Sequence, residues 1–329
     1  MRVLITGGTG FIGSRLVRRC LDRGDTVRVF GQVNTPAEKE NKKSLEDSGA
    51  EFIIGSVTDK EDVKKAVTDV DLIFHLAAAQ HEANVPDQHF RDVNVEGTRN
   101  IAEAAVDAGV KRLVHGSTIG VYGDASEGRV NEESATNPAN IYGETKKEGE
   151  QVALSFNDKM PVVVVRIPET YGPGDRRLLK LFKMVNNGKF FNIGGGLNKH
   201  HVMYVDDLID GFFAAAEHEN APDQIFLLAG NDVLTTNEMI AAVAKSVGQD
   251  APKLRVPLFP FMMAAIVLET TLKPLGIQPP LHRRRMDFFV KSFELDGSKA
   301  ANVIGFKPKT TFEAGAKQTA DWYRDNGMM

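Results

Sequence analysis

Met1-Arg2-Val3-Leu4-Ile5-Thr6-Gly7-Gly8-Thr9-Gly10-Phe11-Ile12-Gly13 opens the chain, and its reading decides the fold. Val3-Leu4-Ile5 is a short apolar run of the kind that forms a buried strand. Four glycines follow within seven residues, and then Leu16, Val17, Cys20 and Leu21 recur at helical spacing. Glycines between a strand and a helix let the backbone turn tightly and come close to a phosphate. The free amides and positive dipole end of the new helix then bind that anion. Gly8, Gly10 and Gly13 satisfy the dinucleotide fingerprint, while Gly7, Gly10 and Gly13 give a variant of it one residue longer. The stretch therefore predicts a dinucleotide site.

Working outward, residues 26–30, 51–54, 71–78, 111–115 and 161–166 read as further strands, with helical patterns between them. That alternation predicts an α/β fold with a doubly wound parallel sheet. The 161–166 segment is almost wholly apolar, as a strand covered on both faces should be. At 329 residues the chain suggests one large or two smaller domains. The net charge of −4 offers no basic field for nucleic acid. Cys20, the single cysteine, has no partner for an internal disulfide and reads as a core residue of the first helix. The chain shows no leader pattern, and no apolar run reaches the roughly 18 to 20 residues of a spanning helix. These features predict a cytoplasmic protein with no membrane span.

The second half is less regular. Residues 176–184 and 205–217 read as helices, 224–228 as a strand, and Thr235-Thr236-Asn237-Glu238 as the cap of a helix running to Val247. A dinucleotide-binding domain over 1–170 is expected, with elements from about 202–233 returning to it. A smaller mixed substrate lobe then takes 171–201 and 234–329. The apolar stretch 256–268 reads first as a core helix, second as a pocket wall for an apolar substrate, and third as a membrane contact. Adjacent His200 and His201 lack a third ligand at a useful spacing, so no metal is expected.

Two places carry chemistry. Gly31 and Gln32 stand where a carboxylate usually binds the adenosine ribose, with Lys39, Lys42 and Lys43 nearby, so NAD and NADP both stay open. Tyr142 and Lys146 are four apart, on one face of a helix. A lysine there favours the phenolate and lowers the tyrosine pKa, giving a group that moves a proton on a substrate hydroxyl. Thr118 or Ser117, at the end of an adjacent strand, can hydrogen-bond the same oxygen.

With these residues in place the chain resembles the extended short-chain dehydrogenase/reductase family, of the NAD-dependent epimerase/dehydratase type, essentially end to end. The resemblance rests on Thr6–Gly13, His75-Leu76-Ala77-Ala78, Asn94–Thr98, Ser117-Thr118 before Val121-Tyr122-Gly123, and Tyr142-Gly143-Glu144-Thr145-Lys146. Arg166, Tyr171–Asp175, Val205-Asp206-Asp207, Lys299-Ala300 and Gly305–Pro308 add to it. It implies a Rossmann-type sheet and an enzyme with Thr118, Tyr142 and Lys146 as catalytic residues. It implies NAD or NADP held by Gly7, Gly10, Phe11, Ile12, Gly13, Gly31, Ser56, Val57, Leu76, Ala77, Ala78, Asn94, Tyr142, Lys146 and Pro168. Ser117, Thr118, Glu169, His200 and Arg285 are the expected substrate contacts.

Departures from the family pattern narrow the reaction. Ile119 and Gly120 stand where sugar 4,6-dehydratases carry an acidic pair, which disfavours elimination of water. Ser56 replaces an aspartate near the adenine. Glu169 replaces an asparagine that often faces a nucleotide-sugar diphosphate, and its carboxylate would repel one. Arg283–Arg285 could hold such a diphosphate. The resulting expectation is hydride transfer at a secondary alcohol or ketone by a nucleotide-sugar 4-epimerase acting on a small-molecule substrate. A hydroxysteroid- or ketone-type dehydrogenase/reductase is the second reading, and a non-catalytic NAD(P) sensor the third. The resemblance also implies a homodimer through helices at 93–108 and 142–156.

Overall fold

Each predicted apolar run becomes a strand of one sheet: β1 (Arg2–Thr6), β2 (Thr26–Gly31), β3 (Glu51–Ile54), β4 (Leu72–His75), β5 (Arg112–Thr118), β6 (Val162–Ile167) and β7 (Gln224–Leu227). The structure is a computed structural model, which describes residues 1–80, 85–123, 128–272 and 283–329, and only the backbone of Arg283–Arg285. Strand order is β7-β6-β5-β4-β1-β2-β3, with every neighbouring pair parallel. The chain winds from β1 to β3 in one direction, then returns to β4 and winds to β7 in the other. This reversal leaves a crevice beyond the carboxyl ends of β1 and β4, where doubly wound sheets bind ligands.

Alternation along β1 divides the core. Val3 and Ile5 face α1 (Phe11–Asp22), α2 (Pro36–Asp47) and the Val205–Glu217 helix, while Leu4 faces α3 (Lys60–Val67), α4 (Gly97–Asp107) and α5 (Ile141–Leu154). Cys20 is fully buried in the first of these layers, as its position on α1 predicts, and burial pushes its thiol up to about 12.

Three departures from the expected elements have local causes. The fourth strand stops at His75 rather than running through Ala78. The Leu76 amide is shared between the Thr6 carbonyl at 3.2 Å and the Thr6 hydroxyl at 3.1 Å, and the Ala77 amide donates to that hydroxyl at 3.0 Å. The helix expected from Val93 starts earlier, as Asp87–Arg91, and passes through a wide π-turn at Asp92–Glu96 before α4. The helix expected from Arg176 begins at Leu179, because Arg177 is engaged by Asp175 and the Thr170 carbonyl.

Beyond β6, paired two-residue strands organise the rest of the chain. Thr170–Tyr171 pairs with Met203–Tyr204, Asn192–Ile193 with Arg255–Val256, and Lys199–His200 with Leu234–Thr235. α6 (Val205–Glu217) lies on the main sheet, whereas α7 (Thr236–Ser246) shares a core with Tyr171, Phe182, Phe312 and Tyr323. α8 (Leu258–Leu272) overturns the core-helix reading. Ala265 and Glu269 are buried, but Phe259, Met263, Ile266 and Val267 are exposed.

Candidate active site

The glycine loop sits where β1 meets the crevice. Gly7 N–H donates to the Phe30 carbonyl at 3.0 Å, which fixes the loop against β2. α1 then starts with Gly10 as its cap, with no capping side chain and no acid in its first turn. Its first-turn amides at Phe11, Ile12 and Gly13 are therefore left to an anion. A Cβ on Gly13 would come within 2.3 Å of the Gly7 carbonyl oxygen, and one on Gly8 within 2.8 Å of Val29 Cγ1. Both are close-packing glycines, so Gly8 is as necessary as the three of the variant spacing. A Cβ on Gly10 would meet only the Gly7 carbonyl, at 3.3 Å. The loop thus presents bare backbone to the crevice, the surface a diphosphate requires.

Gly31 ends β2 with φ +154° and lies under the same loop, where a Cβ would stand 3.6 Å from Gly7 N. A glycine is required there by backbone geometry. The nearby acid, Glu38, accepts from the Asn34 and Thr35 amides and caps α2, so it does not replace the missing ribose carboxylate. On the β3 side the Ser56 hydroxyl bonds Thr58 Oγ1 at 2.8 Å, and Val57 is buried with its carbonyl held by Asn100 at 2.9 Å.

The other wall is made by Leu76, Ala77 and Ala78, the small residues that run on from β4. Asn94, which the π-turn aims inward, holds this segment. Its amide oxygen accepts from Ala79 N at 2.8 Å, and its nitrogen donates to Ala79 O at 3.1 Å and Thr145 Oγ1 at 3.0 Å. Asn94 therefore ties the crevice wall to α5, and its amide is used within the protein.

α5 is capped by Asn140, whose side chain accepts from Gly143 N at 3.0 Å. It brings Tyr142 to the end of β5. The Thr118 hydroxyl accepts from Gly120 N at 3.1 Å and bonds the Tyr142 phenol. Burial raises the phenol pKa, and the Thr118 bond pulls it back toward the phenolate. Lys146, one turn on and 2% exposed, turns its Nζ into the protein, 3.4 Å from His115 Nε2. Burial brings its pKa down to about 8, with Glu150 opposing. The sequence expectation that Lys146 lowers the tyrosine pKa is thus not what this geometry shows. Burial dominates at Tyr142, and the lysine is engaged beneath it.

Below Lys146 lies a buried polar stack that the motifs did not reveal. His75 Nδ1 bonds Thr6 Oγ1 at 2.7 Å, its Nε2 faces Thr98 Oγ1 at 3.1 Å, and its ring lies 5.3 Å from that of His115. Burial, with a smaller contribution from Lys146, holds His75 down to about 3 and His115 well below its usual value.

The expected substrate contacts separate. Ser117 points away from the crevice and donates to Glu150 Oε1 at 2.6 Å, and Arg166 grips both oxygens of that carboxylate at 2.9 and 2.8 Å. Arg166 also donates to the Tyr122 hydroxyl at 2.7 Å. Only the alternation of side-chain direction along β5, which sends Ser117 and Thr118 to opposite faces, could have announced this clamp. Glu169, just past the buried Pro168, is solvent-facing but crowded by protein, which raises its pKa against the pull of Arg177. His200 is buried, bonding Thr236 Oγ1 at 2.8 Å and stacked 4.6 Å from the Phe288 ring, so its imidazole is committed to the second core. The Arg285 side chain lies outside the described residues. Among the described residues, no cluster of His, Cys, Asp or Glu could hold a metal.

The signature of the NAD dependent epimerase/dehydratase family matches residues 3–229. The chain belongs to that family. It is 28% identical to a UDP-glucose 4-epimerase of Vibrio cholerae over 97% of this chain and 94% of that one. A 3-beta-hydroxysteroid dehydrogenase of Mycolicibacterium neoaurum is 30% identical over 98% and 92%. A UDP-glucuronic acid 4-epimerase of Bacillus cereus, solved in complex with NAD, superposes with a TM-score of 0.80 at 25% identity, covering 99% of both chains.

Proposed function

We propose that this member of the NAD-dependent epimerase/dehydratase family is a nucleotide-sugar 4-epimerase, with NAD in the crevice between β1 and β4. One observation carries the reading. Thr118 bonds Tyr142 above a buried Lys146, and the turn that follows, Ile119–Tyr122, contains no carboxylate. Such a site oxidises an alcohol reversibly, and among the described residues that turn offers no second acid to eliminate water.

Gly7, Gly10, Phe11, Ile12 and Gly13 would hold the diphosphate, Gly31, Ser56 and Val57 the adenosine side, and Leu76–Ala78, Pro168, Tyr142 and Lys146 the nicotinamide side. When bound, the nicotinamide would supply a reversible hydride acceptor. Tyr142 Oη takes the substrate hydroxyl proton as the C–H bond breaks, and gives it back when the ketone is reduced from its other face. Thr118 Oγ1 donates to the phenolate and holds the substrate oxygen in line. Lys146, engaged by His115 one turn below Tyr142, would hold the nicotinamide side of the crevice.

The test is cofactor retention. A 4-epimerase reuses its hydride, so denaturing the purified protein should release near-stoichiometric NAD, and UDP-hexoses should turn over without added cofactor. Empty sites together with consumption of added NAD(P)H would assign the second reading, a hydroxysteroid- or ketone-type reductase. That reading is favoured by Glu169, whose carboxylate would repel a nucleotide-sugar diphosphate. We further propose a cytoplasmic setting and a homodimer through the helices at 93–108 and 142–156.

A further inference from the structure

A cavity of about 510 Å³ lies between α1, α2, the 173–176 turn and the C-terminal helix (Phe312–Asp325). Small-molecule sites span roughly 300–1,000 Å³. Two helical stripes build it, positions 11, 14, 15 and 18 of α1 and 37, 40, 41 and 44 of α2, each at i, i+3, i+4 and i+7. Gly31, Ser56, Leu76 and Ala77 do not border it, so it is separate from the cofactor crevice. Phe11 touches both. Its amide belongs to the crevice cradle, while its ring stands on the cavity wall beside Gly174, where a Cβ would come within 3.4 Å of it.

The charge of this cavity is one-sided. Three guanidinium groups line it, from Arg15, Arg18 and Arg176, against one carboxylate, Glu40. Glu40 is taken by Arg176, at 2.6 Å. Arg18 gives one terminal nitrogen to the neutral Ser44 hydroxyl at 2.9 Å and has no carboxylate partner among the described residues. Arg15 reaches Asp206 only at 3.7 Å, and its buried Nε makes no hydrogen bond. Two guanidiniums a turn apart on α1 therefore keep donors for an anion, and their planar forks match the oxygens of a phosphate. A bare phosphate would fill only a small part of the space. The rest of the wall includes Phe11 and the half-buried Trp322. Aromatic side chains take up a planar base by stacking, with little regard to which base it is.

We propose that this cavity is a second ligand site, for a nucleoside monophosphate whose phosphate lies on Arg15 and Arg18 and whose base lies on Trp322. The site is independent of the 4-epimerase reading, because it needs neither the crevice nor turnover. Trp322 is the single tryptophan of the chain, so its emission reports on the cavity directly. The full chain is saturated with NAD, to fill the crevice, and then titrated with AMP or with adenosine. AMP should change the Trp322 emission saturably, and adenosine, which lacks the phosphate, should bind about tenfold more weakly. Arg18→Met should weaken AMP binding about tenfold while the melting temperature stays that of the wild type. Should that variant fail to fold, the wild-type comparison of AMP with adenosine decides alone. An emission that AMP leaves unchanged overturns the proposal, as does adenosine binding as tightly as AMP. So does a folded Arg18→Met that binds AMP like the wild type, or an AMP response that vanishes once NAD is saturating, which assigns AMP to the crevice.

Discussion

Lys146 Nζ and His115 Nε2 lie 3.4 Å apart in a region closed to water, with a second imidazole, His75, packed behind them. A lysine contributes three donors and no acceptor, so His115 Nε2 must be the acceptor and its proton sits on Nδ1. Nδ1 is buried and has no partner among the described residues. The arrangement keeps Lys146 beneath Tyr142 at the cost of burying a cation beside two uncharged rings.

That cost makes a prediction about stability. Lys146 is depressed to about 8 in the fold, while the unfolded chain holds its proton up to about 10.4. The unfolded state therefore binds more protons in that window, and the lysine's burden is full below pH 8 and fades toward 10.4. Lys146→Met should lose turnover by at least about a hundredfold yet melt several degrees higher at pH 7. The gap should close by pH 10. Equal or lower melting of the variant at pH 7 would refute the inference.

Tyr142→Phe should lower kcat by about 10²–10⁴, since Tyr142 acts on the substrate proton. Burial raises the phenol and Thr118 lowers it. Thr118→Val should accordingly move the rising limb of the pH–rate profile to higher pH, and Thr118→Ser should restore it. An unmoved limb in Thr118→Val counts against the hydroxyl's part in activating the tyrosine.

Glu150 and Arg166 form a buried pair, joined by Ser117 and Tyr122. Removing one partner strands the other charge, so Glu150→Leu should cost about 3–5 kcal/mol in denaturant unfolding. Ser117→Ala removes one donor from a carboxylate that keeps two others, and should cost about 1 kcal/mol. Because Ser117 faces Glu150 and not the crevice, its substrate KM should stay within about twofold. A large KM rise at preserved stability would return Ser117 to the substrate.

The strands and the glycine loop were legible because their signals are local: apolar runs, glycine spacing, helical period. All seven predicted strands join one sheet, and Tyr142 and Thr118 meet at the end of β5 with Lys146 one turn on, turned toward His115. What escaped depends on contacts distant in sequence. Nothing in His75, Thr98 and His115 taken singly shows that they stack below Lys146, since they come from three elements. Ser117 and Thr118 are neighbours with opposite directions, a strand alternation that a motif comparison passes over. Gly31 read as a missing acid, yet its φ and its approach to Gly7 give it a backbone reason. The 256–268 stretch read as core because composition does not say which side of a helix is covered.

The buried histidines make the fold sensitive to acid. Both His75, held to about 3, and His115, held well below its usual value by burial, are neutral in the fold, whereas an unfolded histidine takes a proton near 6.5. His200, held to about 4, and His201 act in the same direction. The sign follows from linkage. Below pH 6.5 the unfolded chain binds the extra protons, so stability falls as pH drops, by about 1.4 kcal/mol per pH unit for each histidine. His115→Leu removes one of these groups and the orphaned Nδ1 together. Its unfolding at pH 5.5 should take up about one proton fewer than the wild type, read from the pH dependence of denaturant midpoints between 5 and 6.5. An unchanged proton uptake in the variant would mean that His115 is already charged in the fold, and that Lys146 does not donate to it.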